Sequence, residues 1–372
     1  MGMRRLIKYM SQVKDFRTGF NIKHKLVDIL AIAVLATLSG MKTWNEIELY
    51  GRLRLDFLKR FLELPAGIPS HDTFNRVFSM LDPVQLDNAL QAWVHELFSN
   101  LPAGVVAIDG KAIRGSAPPD SHVHSHIVSA YATNCGLTLA QLKVDEKSNE
   151  ITAIPKLLDM LDLEGSIVTI DAMGCQFDIA AKLLDKKADY IFSLKGNQSS
   201  MQDDARSLTM HERPVDTFEE TDAGHGRVEC RRTSVFKDMS YIQRFWPGLA
   251  TVVRVDTSRF DKTNNRPLGS ESRLYISSLR NVAAKDFAAW VRAHWGIENE
   301  LHWVLDVVYG EDSSQKRAGN SAENFSRLVR FARNILKRYK QISGSRDSYN
   351  LMMTHAAMQE DFSVEVLRHV FA

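Results

Sequence analysis

A chain of 372 residues, 44% hydrophobic and 25% charged, has the length of two or three domains and the composition of a soluble globular protein. Its 47 Lys and Arg against 45 Asp and Glu leave a net charge of +2, so total charge alone does not announce a polyanionic partner. Three cysteines, Cys135, Cys175 and Cys230, stand far apart without a Cys-x-x-Cys pair, which argues against a zinc ribbon or a disulfide framework and fits a reducing cytoplasm.

The distribution of charge carries more than the total. Residues 1–60 are predominantly basic, and the stretch 316–340 sets Lys316, Arg317, Arg327, Arg330, Arg333, Lys337, Arg338 and Lys340 against Glu323 alone. Two basic ends around a more acidic middle fit a polyanion binder, and equally the solvated faces of helices. "LVDILAIAVLATLSG" is too short to span a bilayer, carries Asp28 and ends at a glycine stop, so it reads as a buried helix and no membrane role is expected. The N-terminus lacks the apolar stretch and cleavage site of a signal peptide.

Residues 22–98 read as successive helices, with Ser70 as an N-cap and Pro83 in a first turn, joined in the middle by the turn-forming "ELPAGIPS". Residues 1–100 are therefore expected to form a helical N-terminal domain. One of its helices is a candidate to enter a DNA groove through Arg76, the alternative being a helical packing unit.

The pattern changes at Gly104. "VVAID" reads as a buried strand, "HIVSAYAT" and "LTLAQLKVD" as a hairpin, and "EITAIPKLLDMLD" as a helix, followed by the strands "SIVTID" and "YIFSLK" around another helix. Strands first in a meander and then alternating with helices predict an α/β fold, a mixed sheet flanked by helices. We divide it into a core over 101–206, a β-rich insertion over 207–282, a second part of the core over 283–345 and a C-terminal tail over 346–372. In the helix "ENFSRLVRFARNILKRYK", Leu328, Phe331, Ile335 and Leu336 are expected to dock while Arg327, Arg330, Arg333, Lys337 and Lys340 face outward.

Asp109 closes the first strand and Asp171 closes "SIVTID", so two carboxylates stand at strand ends, where α/β sheets gather functional groups. Neighbouring carboxylates repel unless one is protonated or a cation lies between them, and a hard divalent metal is the simplest resolution. A third carboxylate is available as Glu298 in "HWGIENELHWVLDVVYGED", with His294, His302 and Asp306 near the same helical face. The zinc-peptidase spacing His-Glu-x-x-His is absent there. Glu300, the nearest rival, is placed on another face. His122, His124 and His126 in "SHVHSH" lack a nearby acidic or cysteine partner and are discounted as a metal site. Lys195 and Asn197 in "LKGNQ", and Arg227 and Arg231 in "GHGRVECRR" with His225 in its turn, are candidates for DNA backbone contacts; surface turns are the alternative.

"VVAIDGKAIRGS", "QLKVDEKSNEITAIPKLLDML", "IVTIDAMGCQ", "LKGNQ", "GHGRVE" and "HWGIENELHWVLDVVYGED" together resemble the H repeat-associated transposases, insertion-sequence proteins of the DDE class. The resemblance runs over almost the whole chain. It implies an RNase H-like core in which Asp109, Asp171 and Glu298 bind two Mg²⁺ ions, with Mn²⁺ able to substitute, and cut and join DNA. It also implies as partners double-stranded DNA with terminal inverted repeats, target DNA and a second copy in a homodimer, in the cytoplasm. A silent DNA-binding relic and a nuclease without strand joining are the alternatives. Where the wider group carries Tyr, Arg and Lys around the glutamate, this chain has Val291, His294 and Leu305, with His294 able to substitute only as a weaker, pH-dependent cation. Lys111 and Arg114 are expected at the rim, on DNA phosphates, and Gly110 to open space for a backbone.

Overall fold

The computed structural model describes residues 2–20, 22–98, 103–117, 123–145, 149–224, 226–237, 246–264 and 266–371, and all statements below concern these. His122 and His225 lie outside them. The N-terminal part is helical: α1 (Gly2–Met10), α2 (Leu26–Leu38), α3 (Trp44–Leu53), α4 (Leu55–Leu58), α5 (His71–Met80) and α6 (Pro83–Phe98). Every residue of α2 but Val27 is buried, as its unbroken apolar run requires, and Asp28 is tolerated because its carboxylate accepts from the Leu64 amide at 3.1 Å. Thr43 and Glu46 close a capping box on α3, and Ser70 caps α5 through the Thr73 amide at 3.3 Å.

The chain then forms β1 (Val105–Ile113), β2 (Ser125–Ala132), β3 (Leu137–Lys143), α7 (Glu150–Asp159), β4 (Ile167–Ile170), α8 (Phe177–Asp185), β5 (Asp189–Leu194) and α9 (Ser199–His211). A meander follows, β6 (Asp216–Gly224), β7 (Arg227–Phe236), β8 (Thr251–Asp261) and β9 (Arg266–Ser277), leading into α10 (Ala284–His294). All strands join one sheet in the order β3-β2-β1-β4-β5-β9-β8-β7-β6. Within it β1, β4 and β5 are parallel, while β2, β3 and the meander are antiparallel. The expected mixed sheet is present, with the RNase H-like arrangement in its first five strands. The β-rich segment is not a separate sheet: the last turn of β9, Leu274–Ser277, pairs with β5 and carries the whole meander on that edge.

After α10 the chain continues as a π-helical segment (Ile297–His302), α11 (Trp303–Val307), the long α12 (Ser321–Ser343), α13 (Tyr349–Met358) and α14 (Glu360–Val370). The tail expected over 346–372 is thus two helices: Val366, Leu367 and Phe371 are buried, α14 lies on α12 and α1, and Tyr339 donates to Glu365 at 2.8 Å. The apolar residues of this segment, dispersed at helical spacing, need α12 as a partner before they form a face.

The outward cations expected on α12 need the largest correction. This helix crosses the middle of the molecule, touching α2, α5, α6 and β3, and Arg327, Arg330 and Arg333 are buried along with Leu328, Phe331, Ile335 and Leu336. Arg327 pairs with Glu323 at 2.9 Å and Asp87 at 3.4 Å, and Arg330 with Glu311 at 2.5 Å. Arg333, 0% exposed, donates to the carbonyls of Gly136 at 2.5 Å and Glu300 at 3.0 Å. Lys316 is buried too, donating to the Lys42 carbonyl at 2.5 Å. These cations hold the fold together and are not available to a polyanion.

One apolar core runs from α1 and α2 through the sheet to α12, and a smaller one lies between β5, the meander and α10. No helix among the described residues is long and apolar enough to cross a membrane. Truncating Arg333 strands buried carbonyls and opens a cavity, so Arg333→Ala is expected to lower stability by about 3 kcal/mol or more, read as a fall in thermal midpoint.

Candidate active site

Two strands of unequal length create the site. β4 ends at Ile170, opposite Ile108, while β1 runs on to Ile113 with only β2 beside it. Asp109 therefore sits inside β1 and not at its end, as the apolar run suggested; what ends there is its parallel partner. Asp109 and Asp171 are the first residues past the point where the two strands part. The turn after β4 holds Asp171, whose carboxylate accepts from the Met173 amide at 3.0 Å. Asn197 braces that turn by donating to the Ala172 carbonyl at 2.6 Å. Lys195 is exposed and lies close enough to Asp171 to favour its charged form.

Burial pushes Asp109 up to about 7, with Glu150 contributing next and Asp171 and Glu298 adding to it. Asp171 is raised as well, again by burial and then by Glu150. Glu150 opens α7, and its carboxylate meets His126 Nε2 at 2.6 Å. A Cβ on residue 110 would collide with both Glu150 and His126, so the glycine makes room for this pair and not for a DNA backbone. His126 was discounted for want of an acidic partner; folding supplies one from α7. Glu150 was missed because nothing in its local pattern distinguishes it from a helix-start carboxylate.

Glu298, the expected third carboxylate, lies on the helix that was expected to be continuous. That helix is interrupted by the π-helical segment, a form concentrated at functional sites, and this segment carries Glu298 exposed to solvent. His302 Nδ1 lies 3.5 Å from Asp109, and its buried Nε2 has no hydrogen-bond partner among the described residues. Burial pulls His302 down to about 3, with Arg330 and Lys111 adding to it, so it is neutral near pH 7. His294 is likewise pulled down to about 4 by burial, with Thr169 Oγ1 at 3.0 Å, and does not supply the replacement cation expected of it. Glu300 is occupied elsewhere, accepting from Tyr131 at 3.0 Å and Lys337 at 3.2 Å.

The basic candidates separate by burial. Lys111 is not at the rim: it is 8% exposed and pairs with Asp306 and Asp312, each at 2.7 Å. Arg114 is exposed, with Asp312 at 3.4 Å. Between the meander and α10 lies a cleft of about 370 Å³ lined by Arg227, Arg231, Arg273, Arg292 and Trp295. Most of its arginines are already paired, Arg231 with Glu229 at 2.8 Å and Arg292 with Glu220 at 3.0 Å, while Arg227 has no ion pair among the described residues. Arg76 is exposed on α5, in a separate groove with Arg17 and Lys23.

No three His, Cys, Asp or Glu side chains among the described residues are already gathered as a ligand set. The donors nevertheless suit a hard divalent cation: they are oxygen ligands only, Asp109 and Asp171 are both raised by burial and then by Glu150, and among the described residues neither makes an ion pair with a lysine or arginine.

A mixed sheet in this order, with acidic residues where its central parallel strands part, defines an α/β protein with an RNase H-like sheet. The Transposase DDE domain model matches residues 100–335, and the DDE_Tnp_1-associated model matches residues 7–94. The chain belongs to this transposase family, in its H repeat-associated branch. "H repeat-associated putative transposase YhhI" of Escherichia coli K12 is 37% identical over 376 residues, covering 99% of this chain and 98% of the relative. "Putative transposase YncI" of Escherichia coli O157:H7 is 40% identical over 352 residues, covering 92% and 90%. Among solved structures, a piggyBac transposase synaptic complex with hairpin DNA aligns at TM-score 0.47 and 12% identity, over 98% of this chain and 78% of that one.

A carboxyl group raised to about 7 holds its proton in the folded chain after the unfolded chain has lost it, so stability falls as pH rises between the unfolded value and about 7. Asp109→Asn is therefore expected to raise the thermal midpoint without divalent ions at about pH 7.5 and to change it little at pH 4 or below. Melts of the two proteins at both pH values check this.

Proposed function

We propose that this protein is a DNA transposase that cuts the ends of its own element and joins them to target DNA. The observation that carries the reading is the placement of Asp109 and Asp171 just past the point where the parallel strands β1 and β4 part, with no lysine or arginine ion-paired to either among the described residues. Asp109, Asp171 and Glu298 would hold two Mg²⁺ ions, with Mn²⁺ an acceptable substitute. When bound, such ions activate the attacking oxygen and stabilise the leaving oxygen at phosphorus. Asp109 and Asp171 bind in their ionised forms, which neighbouring cations favour, and the turn amides keep Asp171 aimed at the fork. Glu298, exposed on its π-helical segment and near enough for its charge to act on Asp109, would complete the set.

DNA contact falls to the cations left unpaired or accessible. Lys195 stands next to Asp171, Arg227 in the cleft beside α10, Arg114 at the end of β1 and Arg76 on the N-terminal helices. They suit the phosphates on either side of the cut. Two ends joined in one event call for two copies of the chain and for DNA with terminal inverted repeats.

Asp109→Ala, Asp171→Ala and Glu298→Ala should each lower Mg²⁺-dependent cleavage of end-containing DNA by about three orders of magnitude, the loss expected when several kcal/mol of transition-state stabilisation disappears. Gel-shift binding should change little. Full cleavage by any of the three overturns the assignment, and cleavage without strand joining in the parent favours a nuclease. Lys195→Ala and Arg227→Ala are each expected to reduce the slope of log binding constant against log salt by about one.

A further inference from the structure

Lys111 was expected on DNA and lies instead in the interior, among three carboxylates: Asp306 and Asp312 at 2.7 Å and Glu311 at 3.6 Å. Burial works against its charge, but the acids around it more than offset that and raise its pKa. The knot closes behind through Arg330, which pairs with Glu311 at 2.5 Å, and above through Arg114 beside Asp312. Gly310, at φ 66°, turns the chain back after α11 so that Glu311 and Asp312 reach the same lysine as Asp306.

The spacing of these contacts matters. Asp109 and Lys111, two apart on a strand, share one face of β1. His302 and Asp306, four apart on a helix, share one face of the segment entering α11. Two strand residues advance about 6.6 Å and four helical residues about 6 Å, so the two pairs match as rungs. His302 stands over Asp109 at 3.5 Å and Asp306 over Lys111 at 2.7 Å. Glu298 lies one helical turn before His302, and among the described residues its own side chain makes no ion pair or hydrogen bond that would place it.

We infer that Lys111 is a positioning residue that sets the register of the glutamate helix on β1, and thereby the placement of Glu298 relative to Asp109. This rests on the reading that Asp109, Asp171 and Glu298 form one metal centre. Lys111 itself touches neither metal nor DNA.

The test separates register from stability. Lys111→Met alone leaves buried acids unbalanced and should lower the thermal midpoint. The relieved variant Lys111→Met/Asp306→Leu/Asp312→Asn keeps the Glu311 pair with Arg330, removes the surplus charge and should melt close to the parent. Its affinity for Mn²⁺ alone, measured on the full chain from the free-ion electron paramagnetic resonance signal, should nonetheless fall about tenfold, the usual cost of losing a group that orients a ligand. Adding Glu298→Ala should then weaken binding no further, whereas in the parent that substitution costs a similar factor. Parent-like Mn²⁺ binding by the relieved variant, or an additive effect of Glu298→Ala in it, overturns the inference. Should that variant not refold, Lys111→Arg keeps the charge but not the fit between the acids, and parent-like binding by it overturns the inference equally. If Asp109→Ala leaves parental Mn²⁺ binding intact, the metal centre itself is refuted, and the inference falls with it.

Discussion

Uncompensated negative charge at the parting of β1 and β4 is the constraint on which the rest of the structure turns. Asp109, Asp171 and Glu150 converge there, burial deprives them of water, and among the described residues no lysine or arginine makes an ion pair with either aspartate. Such an arrangement costs stability in the free protein, because the folded state must keep a proton on Asp109 or tolerate the repulsion. A site that stabilised itself with its own cations would have nothing left to attract an ion. Apart from the exposed Lys195, the fold keeps nearby cations committed: Lys111 two residues along the strand to the acids after α11, Arg330 to Glu311, Lys337 to Glu300.

The commitment extends over the whole molecule. Arg327, Arg330 and Arg333 run through the centre on α12 and join helices, sheet and the glutamate helix by charge-assisted hydrogen bonds. Breaking one member of such a network leaves the others buried without a partner, so these cations give the interior one arrangement more than they give it net stability. Arg333 is the clearest case. It holds the Gly136 turn between β2 and β3 and the Glu300 carbonyl in the π-helical segment, so one side chain ties the sheet to the element that bears Glu298.

Fold class and the two aspartates were legible in the sequence because they depend on local patterns. A short apolar run identifies a buried strand, and helical spacing with Ser70 and Pro83 identifies helix starts. Glu298 was singled out as a polar residue in an otherwise apolar helix and by the resemblance carried by its surrounding motif. Glu150 and His126 were not legible as a pair, since 24 residues and two elements separate them. Nor was the split of one helix into α10, a π-helical segment and α11, which depends on packing against β1 and α12.

Burial of charge is where sequence reasoning failed, and always in the same direction. Arg327, Arg330, Arg333, Lys316 and Lys111 were read as surface cations because a lone basic residue is usually solvated. Each is buried because folding delivers its partners from distant positions: Asp87, Glu311, the Gly136 carbonyl, the Lys42 carbonyl and Asp306. The sequence by itself determined the elements and the sheet class, since these follow from periodicities of two and 3.6. Only the tertiary structure decided which charges face one another, because a carboxylate's neighbours are set by the sheet order and the path of α12, and neither has a signature within any one segment.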